Sequence, residues 1–431
     1  MFSAFNINTL RRLLKVRHSE FVVSVAETFA TRIFAILTGL VVSVLVTRAL
    51  GPEGRGVYAM AMALWALGTQ FANLGVQSSN VYVVSKQPHQ LPHLIGNSLW
   101  LGALFGFMAA AFIALVGVLF PQWLPVKGMV LWLTLGLIPI GLATMFLQNL
   151  LIGLNKIRLN NFIELASKLV GFLATAGLWF ASAISVLNLL VLLCLSSVGM
   201  LGAVFILLRR ISASRSRISG ALFKAHFSYG LKVYTAGLFM YLVLKIDLFM
   251  VDYFLGKSAA GFYSLSVSLA EMLTMLPVIA GTLMFPRLSA LATDIERWGA
   301  FKRVFAGVGV LMLVAIGAAG LLGPWAITRL YGVVFTPSIA PFLWLLPAVL
   351  FISLNGILMN FLASINLPRI TVYSPLLGCI LNILLNLLWI PKFGIIGAAW
   401  ASVFSYGFML MFAGIYCYKR FELSPPTEQV G

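Results

Sequence analysis

Lys245 lies in the middle of an apolar run, with Tyr234 and Tyr241 before it and Asp252 after it. At about 3.6 residues per helical turn these four fall within about 40° of one another, a narrow polar stripe, while Asp247 points to the opposite side. Lys245 stands about 15 Å from the end of its run at Leu255, the depth of a bilayer midplane. A lysine flanked by two tyrosines and an aspartate can hold an anion by charge and hydrogen-bond a sugar ring. The competing uses are an internal ion pair or snorkelling of the ammonium to the interface. Arg32 repeats the theme in an earlier run, on a face shared with Thr28, Gly39 and Ser43. Its planar guanidinium matches two phosphate oxygens at once, unless it is spent on Glu27 or Glu271 as a tie between helices.

Glu27, Glu271 and Asp247 are the acids that could exchange a coupling H+ or Na+ ion. Glu164 and Lys168 are four residues apart at the start of another run, which reads as a local helix pair, with a part in a cytoplasmic entrance as the alternative. An ionised side chain in hydrocarbon costs at least about 2.5–3.5 kcal/mol, so each of these residues needs a partner or water. The amides within the apolar runs, Asn382 and Asn386 among them, are more economically read as glue between helices.

Other chemistries are not expected. His18, His89, His93 and His226 have no metal-ligand spacing, and Cys194, Cys379 and Cys417 are scattered without pairing. No phosphate-binding Gly-Lys loop occurs, and no outer loop collects the His, Asp, Glu or Arg that glycosyl transfer or hydrolysis would need. The sequence therefore predicts no catalytic residues, no metal, no cofactor and no enzyme.

The elements that must position the charged residues are membrane-spanning helices. With 61% hydrophobic residues, 9% charged residues and a mean hydropathy of +1.02, the chain departs far from the soluble average of about 25% charged. Its net charge of +18 would suggest nucleic acid in a soluble protein; here the cations lie between apolar runs, so no nucleic-acid partner is expected. Runs of about 20 apolar residues predict twelve spans, six within 21–208 and six within 229–418. Residues 1–20 form a basic segment, 209–228 a linker, and 419–431 a tail. Lys and Arg concentrate on alternate loops, which places both termini in the cytoplasm. Six spans per half make the halves parallel repeats about an axis along the membrane normal.

One stretch occurs in both halves. Leu50–Ala59 reads LGPEGRGVYA and Leu255–Ser264 reads LGKSAAGFYS. A glycine at each end of the stretch predicts the tight corner of a helical hairpin, with Arg55 in the outer corner. In VTRALGPEGRGVYAMAMAL and KIDLFMVDYFLGKSAAGFYSLSVSL the chain resembles the polysaccharide transporter branch of the multidrug/oligosaccharidyl-lipid/polysaccharide exporter superfamily, the Wzx-type flippases.

That resemblance implies an all-α, MATE-like membrane fold, two six-helix lobes around a central cavity that opens alternately to either side. It implies an inner-membrane protein moving an undecaprenyl-pyrophosphate-linked oligosaccharide, an O-antigen or exopolysaccharide repeat unit. A polysaccharide polymerase and a chain-length regulator are the implied partners. Arg32 and Lys245 would hold the pyrophosphate. The lipid II flippases of the superfamily carry two further helices, which makes lipid II the less expected cargo. An ion-coupled multidrug exporter is the alternative, although Arg32 and Lys245 would repel cationic drugs; a polymerase or ligase would be expected to carry a large outer loop.

Overall fold

The computed structural model describes residues 7–212, 218, 220–275, 277, 291, 293–365 and 368–423; the side chains of 7–33, 35, 220–233 and 236 lie outside the description. The described residues form α1 (Ile7–Ala72), α2 (Val76–Lys86), α3 (Leu91–Leu119), α4 (Gly128–Gly153), α5 (Ile157–Phe180) and α6 (Val186–Ser212). The second half continues with α7 (Gly220–Leu255), α8 (Lys257–Leu273), α9 (Asp294–Ala326), α10 (Ile339–Ser364) and α11 (Ile370–Tyr418). Eight helical stretches among them are long and apolar enough to cross a membrane. An all-helical answer follows from the solvent: in hydrocarbon every backbone amide must find its partner within the segment.

Among the described residues the twelve predicted runs fall on eleven helices, because breaks and spans do not coincide. α1 carries the first run and most of the second across a break at Gly51, and α11 carries the last two across a break at Gly394. The second run is completed by the short α2, and the eighth begins in α8 and continues beyond the described residues.

The repeated stretch explains how the halves meet. Gly51 and Gly256 both adopt left-handed φ, 65° and 81°, with the same ψ of −176°, so the first glycine of each copy makes the break. Pro52 follows at the first helical position, where its missing N–H costs nothing. The later glycines do something the hairpin reading did not anticipate. A Cβ on Gly56 would stand 1.9 Å from the Lys257 carbonyl oxygen, and a Cβ on Gly261 1.9 Å from that of Pro52. The second arm of α1 and the start of α8 thus cross backbone to backbone, reciprocally, as a local two-fold axis would arrange them.

Small residues do the same within each half. Gly102 and Gly106 of α3 seat Ala143 and Pro139 of α4, and Gly378 of α11 seats Met409 beyond the break. The main core of buried apolar side chains runs through both halves, from Met60 and Leu64 to Tyr263, Leu346 and Met409.

Candidate functional site: a charged cavity between the halves

Three helices that meet across the halves line a cavity of about 300 Å³. α1 contributes Arg55, Tyr58 and Met62; α7 contributes Tyr241, Lys245 and Asp247; α8 contributes Ser264, Ser268 and Glu271. Because Pro52 starts the second arm, Arg55 is already inside a helix and repeats with Ala59, Met62 and Ala66 on the cavity face.

Arg55 corrects the sequence reading. It was expected at an outer corner, yet it is buried, 7% exposed. Its Nε donates to Ser264 Oγ at 3.4 Å and its Nη2 to Ser268 Oγ at 3.1 Å. Each serine hydroxyl in turn donates to its own helix, Ser264 to the Gly261 carbonyl at 2.9 Å and Ser268 to that of Ser264 at 2.7 Å. That back-bonding leaves oxygen lone pairs directed at the guanidinium. Among the described residues no carboxylate forms an ion pair with Arg55. A desolvated guanidinium held by two neutral acceptors keeps most of its field for an incoming anion.

Lys245 faces the same cavity, but its charge is shared. Nζ lies 2.6 Å from Glu271 Oε1, an ion pair bridging α7 and α8. The Tyr241 hydroxyl, one turn away, is buried and has no hydrogen-bond partner among the described residues. The rest of the predicted stripe is placed elsewhere. Tyr234 donates to the Phe71 carbonyl at 2.9 Å, joining α7 to the end of α1. Asp252 pairs with Lys257, just across the break at Gly256, with Oδ1 2.6 Å from Nζ.

Asp247, which also lines the cavity, is 3% exposed and fully engaged. Oδ2 accepts from Tyr263 at 2.6 Å and from Ser402 at 3.1 Å, while Oδ1 accepts from the Leu248 amide at 2.7 Å. It therefore ties α7, α8 and α11 together. Glu164 and Lys168 form the local pair at 2.7 Å, both nearly half exposed. Asn386 donates to Asn382 at 2.8 Å, both completely buried. The side chains of Glu27 and Arg32 lie outside the described residues.

Further contacts close the end of the bundle that carries the Leu-Gly breaks. Arg48 Nε and Nη2 each lie 2.6 Å from a carbonyl, those of Leu330 and Arg329, at the π-helical turn Ile327–Tyr331 that extends α9. A guanidinium here meets the unsatisfied carbonyls and the negative end of the helix dipole. Tyr331 donates to Ser43 at 3.4 Å beside it. The residues sequence reasoning missed, Arg55, Arg48 and Ser268, share a cause: each acts across the two halves, and only the Pro52 signal, which puts Arg55 inside a helix, was readable in the chain.

Solved structures similar to this one include membrane transporters. The inward-facing form of a multidrug resistance MATE family transporter of the MOP superfamily superposes with a TM-score of 0.70 at 13% identity, covering 89% of this chain and 93% of that one. The lipid II flippase MurJ in an inward closed conformation gives 0.69 at 15% identity, covering 92% and 88%. At such identities the likeness is one of fold.

Among curated relatives, an uncharacterized membrane protein of Methanocaldococcus jannaschii is 28% identical over 212 residues, 47% of this chain and 41% of its own length. The probable flippase AglR of Haloferax volcanii is 24% identical over 194 residues, 43% of this chain and 40% of its own. The chain thus spans about two fifths of the length of the curated relatives it matches. The family model described as polysaccharide biosynthesis protein matches residues 24–292, more than half of the sequence, and the chain belongs to that family.

Proposed function

We propose that this protein is an alternating-access flippase for an anionic, lipid-linked oligosaccharide, moving it from the cytoplasmic to the outer leaflet of the inner membrane. The observation that carries the reading is Arg55, buried at the interface of the halves, facing a cavity, and without a carboxylate partner among the described residues. The family, whose description is polysaccharide biosynthesis protein, and the probable flippase among the relatives support the cargo class.

The undecaprenyl-diphosphate linkage is the expected anion. Its oxygens would take the guanidinium fork of Arg55 and draw Lys245 away from Glu271, while Tyr241 supplies a hydroxyl to the sugar. Burying the diphosphate without such cations would be prohibitive. The cavity is bounded by inter-half contacts at two levels, Gly56 with Gly261 and Arg48 with the end of α9 at one, Tyr234 with Phe71 at the other. Rocking would break one set while the other holds. Glu271 released from Lys245, and Asp247 at the junction of α7, α8 and α11, are the groups proposed to take a coupling H+ or Na+ ion. A polymerase and a chain-length regulator would then act on the delivered repeat unit.

A cation-exporting multidrug transporter is the second reading, favoured by the Glu271 carboxylate in the cavity and by the MATE-like fold. Arg55 opposes it. Complementation of a flippase-deficient strain by wild type but not by Arg55→Ala, with no change in drug resistance, supports lipid-linked cargo; drug resistance without polysaccharide supports the exporter.

A further inference from the structure

A second cavity, of about 260 Å³, lies inside the first half between α1, α5 and α6, and Tyr58 lines both it and the charged cavity. The two differ in the polar groups that they present. In the second, Val42, Val46, Phe172, Leu189, Leu192 and Leu193 form the wall.

Its threonine, serine and lysine groups are already satisfied. Thr38 donates to the Phe34 carbonyl at 2.8 Å, Thr175 to that of Gly171 at 2.8 Å, and Ser196 to that of Leu193 at 3.0 Å. The Lys168 ammonium is paired with Glu164 at 2.7 Å. A cavity whose donors are turned back onto their own helices offers an entering molecule dispersion and desolvation, and little directional bonding. Tyr58 is thus shared by a compartment suited to an anion and one suited to hydrocarbon, with Arg55 one turn before it on the same helix.

We propose that this second cavity is a hydrocarbon-chain site that takes the head-proximal part of the cargo's polyprenyl chain, with Tyr58 the partition over which an amphiphile is laid. The inference rests on the flippase reading for its occupant. It also gives that reading a consequence: the chain is held by α1, α5 and α6 rather than trailing freely in the bilayer.

The geometry supplies a clean perturbation. A Cβ built on Gly171 or on Gly39, both lining this cavity, meets nothing within 4 Å. Gly171→Phe and Gly39→Leu therefore start their side chains in open space at this cavity, and each raises helix propensity. The test uses the full-length protein in nanodiscs, a farnesyl diphosphate analogue with a diazirine on its terminal isoprene, and the corresponding farnesol analogue.

The expected result is labelling by the diphosphate probe concentrated on Phe172, Leu192 and Leu193. It falls at least tenfold in Gly171→Phe and in Gly39→Leu, while inorganic pyrophosphate binding, read separately, is retained. Labelling spread over the exposed Leu169, Val170 and Leu173 and unchanged by both variants, with pyrophosphate still bound, overturns the chain site and leaves the flippase reading standing. Loss of pyrophosphate binding from the wild type overturns the flippase reading instead. In that case concentrated labelling by the farnesol probe still supports a hydrocarbon site, and diffuse labelling removes it.

Discussion

Gly56 and Gly261 meet so closely that neither position has room for a methyl group: each hypothetical Cβ would stand 1.9 Å from a backbone carbonyl oxygen of the opposite half. Carbonyl oxygens on helices cannot rotate away as a side chain would, so relief must come from separation of α1 and α8. Gly56→Ala and Gly261→Ala are each expected to cost about 1–3 kcal/mol as overpacking. Thermal unfolding in detergent, followed by tryptophan fluorescence, should show both as less stable than wild type, whereas Gly199→Ala, in open space on α6, should not lower stability.

Arg48 holds the same end shut by a different means. Hydrogen bonds to a charged donor are worth about 1.5–3 kcal/mol each, so Arg48→Ala should shift the closed population at least about tenfold. Cysteine placed at Ser43, which accepts from Tyr331 at that level, should then react several-fold faster with a membrane-impermeant maleimide. Arg48→Lys, which cannot reach two carbonyls with one fork, should fall between.

Glu271 and Lys245 make opposite predictions for anion binding. Glu271→Gln removes the competitor 2.6 Å from the ammonium and should tighten pyrophosphate binding. Lys245→Met should weaken it about tenfold or more, leaving Glu271 uncompensated. The double variant should bind better than Lys245→Met alone, since it carries no orphaned carboxylate. Isothermal calorimetry on the four proteins closes the cycle.

Asp247 separates drive from binding. Asp247→Asn keeps a side chain that can accept from Tyr263 and Ser402 but removes the charge at the junction of α7, α8 and α11. Pyrophosphate affinity should stay within about twofold, while transport in proteoliposomes should lose its dependence on an imposed proton or sodium gradient.

Much of this architecture is legible in the chain. The left-handed glycines at 51 and 256 follow from the repeated Leu-Gly, and the placement of Lys245 and Tyr241 on one cavity face follows from helical spacing. What could not be read is what touches across the halves. Two similar stretches say that a motif recurs; they do not say that the copies pack on each other, which Gly56 and Gly261 do. Arg55, between two glycines, looked like a corner cation until Pro52 is recognised as a helix start. Asp252 reads as part of the Lys245 stripe because its partner Lys257 lies beyond a helix break, where helical periodicity ceases to apply.

The most direct test of the account is the binding of pyrophosphate to the full-length protein in nanodiscs, wild type against Arg55→Ala and Arg55→Lys. An anion held by the buried guanidinium predicts affinity lowered at least tenfold in Arg55→Ala and partly restored in Arg55→Lys. Equal affinity in all three, with each protein monodisperse and folded, would contradict it.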